Sequence, residues 1–134
     1  MTNNTMHIVI VGGGMGGLTA ALALQQADIQ VSVYEQAPEL GEVGAGLTLP
    51  PNATCVYKHL GMEEDLRRAG VVPNYAAVRH YQTGEELVYR ERAESAQAEY
   101  GSPYIQIHRA DLHDALLERV VANDVGCVDR KSVV

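Results

Sequence analysis

The period of apolar and polar positions changes along this chain wherever glycine, proline or asparagine interrupts it, and these changes mark out short strands and helices. Ile8–Val11 is an unbroken apolar run, the pattern of a buried parallel strand, and Leu18–Gln26 is a small-residue-rich stretch that reads as a helix. Gln30–Tyr34 alternates as a second strand. A glycine-rich loop with Gly41, Gly44 and Gly46 then leads through a short extended piece to Pro50, Pro51 and Asn52, which are helix-start signals. Ala53–Leu60 reads as a helix with Val56 and Leu60 inward, ended by Gly61, and Glu63–Ala69 as another ended by Gly70. The segments Ala76–Gln82 and Glu86–Arg90 alternate around Thr83-Gly84 and predict a hairpin. Arg90–Gly101 is charged and poor in branched apolar residues, so a loop is expected there. Tyr104–Ile107 predicts one more strand, and Leu112, Leu116, Leu117, Val120 and Val121 mark an amphipathic helix.

The join between the first strand and the first helix carries chemistry. Gly12, Gly14 and Gly17 form GxGxxG on that turn, where a nucleotide pyrophosphate can lie against unpaired amides and the positive end of the helix dipole. Gly12 permits the tight turn, Gly14 lets the backbone approach phosphate, and Gly17 lets the helix pack closely on the strand. Met15 and Gly16 complete the turn, and no cation is needed in it. Glu35 closes the second strand at about the twenty-residue interval expected for a carboxylate that accepts hydrogen bonds from a ribose diol. The competing reading of Glu35 is a solvated acid at a strand end. Its charge disfavours a 2′-phosphate and hence NADP in this first site.

Composition narrows the class. A chain of 134 residues has the size of one domain, and it holds no long uncharged apolar run that would span a membrane. The polar start, Met1 to Met6, does not read as a signal peptide, so a cytoplasmic setting is expected. Cys55 and Cys127 lack CxxC spacing and read as free thiols. The net charge of −7, with no basic stripe, argues against a nucleic-acid partner.

Between the last strand and the last helix lies His108-Arg109-Ala110-Asp111-Leu112. An arginine at a helix start opposes the dipole unless an anion is close, so Arg109 is a candidate second contact to a bound cofactor, with a surface salt bridge as the alternative. His108 and His113 lack metal-ligand spacing and cysteine partners, which argues against a metal site. Tyr81, Tyr89, Tyr100 and Tyr104 read as packing residues with wet hydroxyls before they read as the lining of an aromatic pocket.

Three segments together carry a resemblance. VGGGMGGLTAALAL with Glu35, then GAGLTLPPNA, then HRADLHDALL, resemble the single-component flavoprotein aromatic hydroxylases, the group of salicylate hydroxylase, 6-hydroxynicotinate 3-monooxygenase and p-hydroxybenzoate hydroxylase. The likeness runs from about His7 to about Asn123. It implies an α/β, Rossmann-like FAD-binding domain of the p-hydroxybenzoate hydroxylase type, incomplete, with a parallel βαβ start, a β-hairpin and helices. It also implies FAD as cofactor, with NAD(P)H and O2 as co-substrates for hydroxylation of a small phenolic or hydroxypyridine ring. By this resemblance Gly12, Gly14, Met15, Gly16 and Gly17 line the pyrophosphate, Glu35 with Gln36 meets the adenosine ribose, Arg109 contacts the flavin, and Val43, Gly44 and Ala45 lie in the flavin-side loop. No side-chain nucleophile is implied.

The likeness departs from the family after Asn123, where neither the second flavin-contacting Gly-Asp motif nor a substrate domain follows. The expectation is a truncated reading frame that supplies the N-terminal part of the FAD domain, with residues 125–134 as a non-native or disordered tail. Such a chain would leave apolar sheet surface uncovered and bind FAD weakly or not at all. Two other readings stand beside the monooxygenase one: a non-catalytic dinucleotide-binding module or inert fragment, and an NAD-dependent dehydrogenase. The hairpin and the motifs after Glu35 disfavour the dehydrogenase.

Overall fold

The structure, a computed structural model, describes residues 6–37, 45–124 and 127–129. In chain order the elements are β1 (His7–Val11), α1 (Met15–Gln26), β2 (Gln30–Tyr34), β3 (Gly46–Leu49), α2 (Pro51–His59), α3 (Glu63–Ala69), β4 (Tyr75–Arg79), β5 (Glu86–Glu91), α4 (Ala93–Tyr100), β6 (Ile105–His108), α5 (Arg109–Asn123) and β7 (Val128–Asp129). They form two compact units, one from Met1–Gly44 with Arg109–Val134 and the other from Ala45–His108.

The first unit is the expected parallel start. β1 pairs β2 in parallel register from His7 opposite Gln30 to Val11 opposite Tyr34, and β7 pairs the other edge of β2, giving the order β1-β2-β7. A parallel pair needs a crossover, and α1 is that crossover. Leu18, Ala21 and Leu22 of α1 are buried, as are Val31 and Val33 of β2 and Leu112, Leu116 and Val120 of α5. Each large side chain here contributes about 1.5–3 kcal/mol on leaving water. Polar contacts fix the helix pair as well. Gln25 Nε2 donates to the Val120 carbonyl at 3.1 Å, and Asn123 Nδ2 donates to Gln25 Oε1 at 3.2 Å.

β1 is parallel, but it is not the buried strand its composition suggests. Val9 is 55% and Val11 77% exposed, whereas Ile8 and Ile10 are half-buried. At the edge of the sheet among the described residues, it sends alternate side chains to opposite faces, and Ile10 turns toward the first turn of α1. The opposite face stays open among the described residues.

The second unit joins an antiparallel pair, β3 with β6, to the predicted hairpin of β4 with β5. Leu49, Leu60, Met62, Leu66, Ala96, Ile105 and Ile107 are buried in it. Val56 does not point inward and is 48% exposed. The buried stripe of α2 runs through Pro51 and Thr54, whose hydroxyl donates to the Pro103 carbonyl at 2.8 Å, and Val56 falls about 200° away from Thr54.

The loop expected over Arg90–Gly101 is instead largely the helix α4. Alanine, glutamate and glutamine are strong helix formers, so no branched apolar stripe is needed when one small residue, Ala96, supplies the buried contact. Glu91 accepts from the amides of Glu94 and Ser95 at 2.8 and 3.1 Å, and Gly101 ends the helix in the left-handed region at φ 68°. The tyrosines are also less packed than expected. Tyr81 is 87% exposed, Tyr89 stacks on Tyr75 at 5.3 Å on an open hairpin, and Tyr100 is exposed, while Tyr104 lies under the Arg92 guanidinium at 4.2 Å.

Gly17 fixes how α1 meets β1. A Cβ there would collide with the Gly12 carbonyl oxygen and would stand 3.3 Å from Ile10 Cγ2. At Gly16 the same atom meets nothing within 4 Å. Gly17→Ala is therefore expected to lower stability by about 1–3 kcal/mol, and Gly16→Ala to leave it unchanged or raise it by about 0.5–1 kcal/mol. Thermal unfolding followed by circular dichroism checks both, and equal melting temperatures would refute the contact.

Candidate dinucleotide site

The residues that GxGxxG and Glu35 single out meet at the C-terminal ends of β1 and β2. Gly12 sits at φ 109°, a conformation that side chains with a Cβ rarely adopt, and its amide donates to the Tyr34 carbonyl at 2.7 Å. The chain then turns into α1, whose first backbone bond is Leu18 N–H to the Gly14 carbonyl at 3.0 Å. The amides of Met15, Gly16 and Gly17 precede that bond and are the orphan donors of a helix start. Gly14 is the N-cap and offers no side-chain cap, and no acidic residue occupies the first turn. The positive end of the helix dipole is thus left for an external anion.

Glu35 reaches back across the sheet end to this turn. Its Oε2 accepts from the Gly13 amide at 2.7 Å and its Oε1 from the Ala37 amide at 2.8 Å. The Ala37 amide first, then that of Gly13, holds the carboxyl below its ordinary value, against the opposing effect of partial burial. Each oxygen keeps acceptor capacity beyond its one amide, so the group can also receive a ribose diol. Gln36 is exposed beside it.

α5 supplies the third side of the site. Arg109 opens this helix, as the spacing predicts, and is half-buried with its Nε enclosed. Asp111 in the same turn provides an anion that suits the dipole, so Arg109 is not the sole charge at this helix start. One turn on, His113 is buried at 2% exposure and its Nε2 lies 2.8 Å from the Gly13 carbonyl oxygen. From sequence alone His113 is weighed only as a metal ligand. Its spacing holds a further signal, because residues 113, 116 and 120 share a helix face and Leu116 and Val120 belong to the apolar positions of that helix.

The structure thus brings together Gly12, Gly14, Met15, Gly16, Gly17 and Glu35. Ala45 belongs to the other unit, where it is exposed and immediately precedes β3, and Val43 and Gly44 lie outside the described residues.

A depressed carboxyl stabilises the fold above its unfolded-state value, near 4.5, and that contribution disappears as pH falls through the lower folded-state value. Glu35→Gln should therefore melt about 2–4 °C below the parent at pH 7. The gap should narrow as the pH falls below about 4.5 and close below the lower folded-state value. Melting curves across pH 2.5–7 check this, and a gap that does not change with pH would contradict it.

Comparison with known proteins finds relatives over most of this chain. The model of the NAD(P)-binding Rossmann-like domain matches residues 10–57. The chain is 40% identical over 112 residues to 6-hydroxynicotinate 3-monooxygenase of Pseudomonas fluorescens, covering 84% of this chain and 29% of that protein. It is 44% identical over 114 residues to 3-hydroxybenzoate 6-hydroxylase of Polaromonas naphthalenivorans, covering 84% of this chain and 28% of that protein. Among solved structures, Klebsiella pneumoniae HpxO complexed with FAD and uric acid superposes with TM-score 0.82 at 28% identity, over 95% of this chain and 31% of that one. The tetrameric form of 2-methyl-3-hydroxypyridine-5-carboxylic acid oxygenase gives 0.80 at 28% identity, over 96% and 32%. The chain spans about 30% of the length of these relatives. Relatives and solved structures agree: over most of its own length this chain is similar to part of the FAD-dependent aromatic monooxygenases, the group that its three sequence segments resemble.

Proposed function

We propose that the glycine turn and Glu35 hold the adenosine diphosphate portion of FAD, within a flavin-dependent monooxygenase that hydroxylates a small aromatic ring at the expense of NAD(P)H and O2. The observation that carries this reading is the 2.7 Å bond from the Gly13 amide to Glu35, which makes the acid and the turn one continuous site. The residues fit the cofactor in charge and in space. Uncapped amides of Met15, Gly16 and Gly17 face an anion, Gly14 presents bare backbone to it, and Glu35 offers acceptors to a diol.

Arg109 stands on the helix face that carries His113, one turn nearer the start of α5, and is assigned to the flavin side of the ligand. The bound flavin would supply the redox chemistry, and the protein's part here is to bind and orient it. Two relatives take 6-hydroxynicotinate and 3-hydroxybenzoate in their names, both rings that bear a hydroxyl and a carboxylate, and a substrate of that class is the one we assign. Free thiols at Cys55 and Cys127 agree with a cytoplasmic setting.

Gly14 separates binding from folding. A Cβ at Gly14 meets nothing within 4 Å, its backbone is extended, and serine is a good N-cap, so Gly14→Ser should fold as the parent does. In a titration followed by flavin fluorescence and absorbance, the parent chain is expected to bind FAD and Gly14→Ser to bind at least about tenfold more weakly, since the new side chain enters the space of the pyrophosphate. Arg109→Ala should weaken binding by a similar factor. A parent chain that leaves the flavin spectrum unchanged, or one that prefers NAD to FAD, would overturn the assignment.

A further inference from the structure

Gly13 is held from both sides. Its amide donates to Glu35 Oε2 at 2.7 Å, and its carbonyl oxygen lies 2.8 Å from His113 Nε2. A carbonyl can only accept, so His113 carries a proton on Nε2 and donates it. The other ring nitrogen, Nδ1, is buried with no hydrogen-bond partner among the described residues, and the nearest carboxylate, on exposed Asp114, stands 3.9 Å away. A histidine enclosed at this depth gives up the water that would solvate both ring nitrogens and recovers one bond, which goes to the backbone of the glycine turn.

The peptide between Gly13 and Gly14 is planar and trans, as no cis bond occurs among the described residues. Its C=O and its N–H therefore point in opposite directions. When His113 draws the Gly13 oxygen toward α5, the Gly14 amide is aimed away from α5. Glu35 fixes the preceding peptide in the same manner, through the Gly13 amide. A turn of three consecutive glycines, Gly12 to Gly14, has many conformations to lose on binding, and these two bonds remove them beforehand.

We propose that His113 is a positioning residue for the cofactor. Through the Gly13 carbonyl it presets the Gly14 amide toward the pyrophosphate of the bound dinucleotide, and it makes no contact with the ligand itself. This rests on the FAD reading above. Glutamine in place of histidine keeps an N–H donor at a similar reach, whereas leucine keeps the bulk and loses the donor.

The experiment compares the parent chain with His113→Gln and His113→Leu by FAD titration, by thermal melting, and by amide order parameters of the ligand-free protein. His113→Leu is expected to bind FAD about tenfold more weakly, the worth of one buried hydrogen bond, and His113→Gln to recover most of that loss. Without ligand, the order of the Gly13 and Gly14 amides should fall in His113→Leu while the amides from Leu116 to Val120 stay as they are. A role confined to packing would lower the melting temperature of both variants and leave the Gly14 amide unchanged. If the parent binds FAD and His113→Leu binds it equally well, the positioning role is overturned and the FAD reading stands. A parent that binds no FAD overturns both, and amide order then shows only whether His113 stiffens the turn.

Discussion

A contact between two stretches of backbone, with no room between them for a side chain, sets the geometry of the whole site. The Gly12 carbonyl lies where a Cβ of Gly17 would stand, so α1 enters against β1 more closely than any other residue would permit. That approach carries the helix start, with its unpaired amides and its share of the dipole, to the end of the sheet. Gly12 reaches this position only at φ 109°, and its amide is tied to the Tyr34 carbonyl at the end of β2. Glu35 is the next residue along, which is why a carboxylate about twenty residues away in sequence meets the turn at 2.7 Å.

Local chemistry made most of this legible beforehand. The strand, turn, helix, strand and acid occur in order because each has its own signature in a few residues, and the same holds for α3 and for the β4–β5 hairpin. The failures share a cause. The inward position of Val56 follows from its side chain alone, whereas burial is decided by what lies opposite. The rotation of α2 about Thr54 is a fact of tertiary packing that no window of ten residues contains. α4 escaped detection for the converse reason. A helix anchored by Ala96 and started by the Glu91 carboxylate has no apolar period to find.

His113 shows the same limit at the functional site. It lies on the inward stripe of α5, so its burial was readable, but its partner is a carbonyl 100 residues earlier in the chain. A side chain to backbone contact leaves no residue-type signature at the backbone end. Glu35 was found because its interval from the glycines is short and nearly fixed, whereas the segment between Gly13 and His113 includes an entire second unit.

The entropic cost of assembling the site follows from these separations. The βαβ start closes over about twenty residues, so its loop-closure cost is small, and Gly12, Gly17 and Glu35 can come together from local sequence. Bringing α5 back over 100 residues costs more, though only logarithmically in length, and is offset where Leu112, Leu116 and Val120 bury against Leu18, Ala21 and Leu22. Gln25 and Asn123 lock that helix pair at its far end, and His113 joins it to the glycine turn at the near end. The placement of the glycine turn therefore depends on a hydrophobic interface between two helices as well as on its own sequence. Any change that loosens α1 from α5 would act on the glycine turn through the bond between His113 and Gly13, even with every residue of the GxGxxG turn intact.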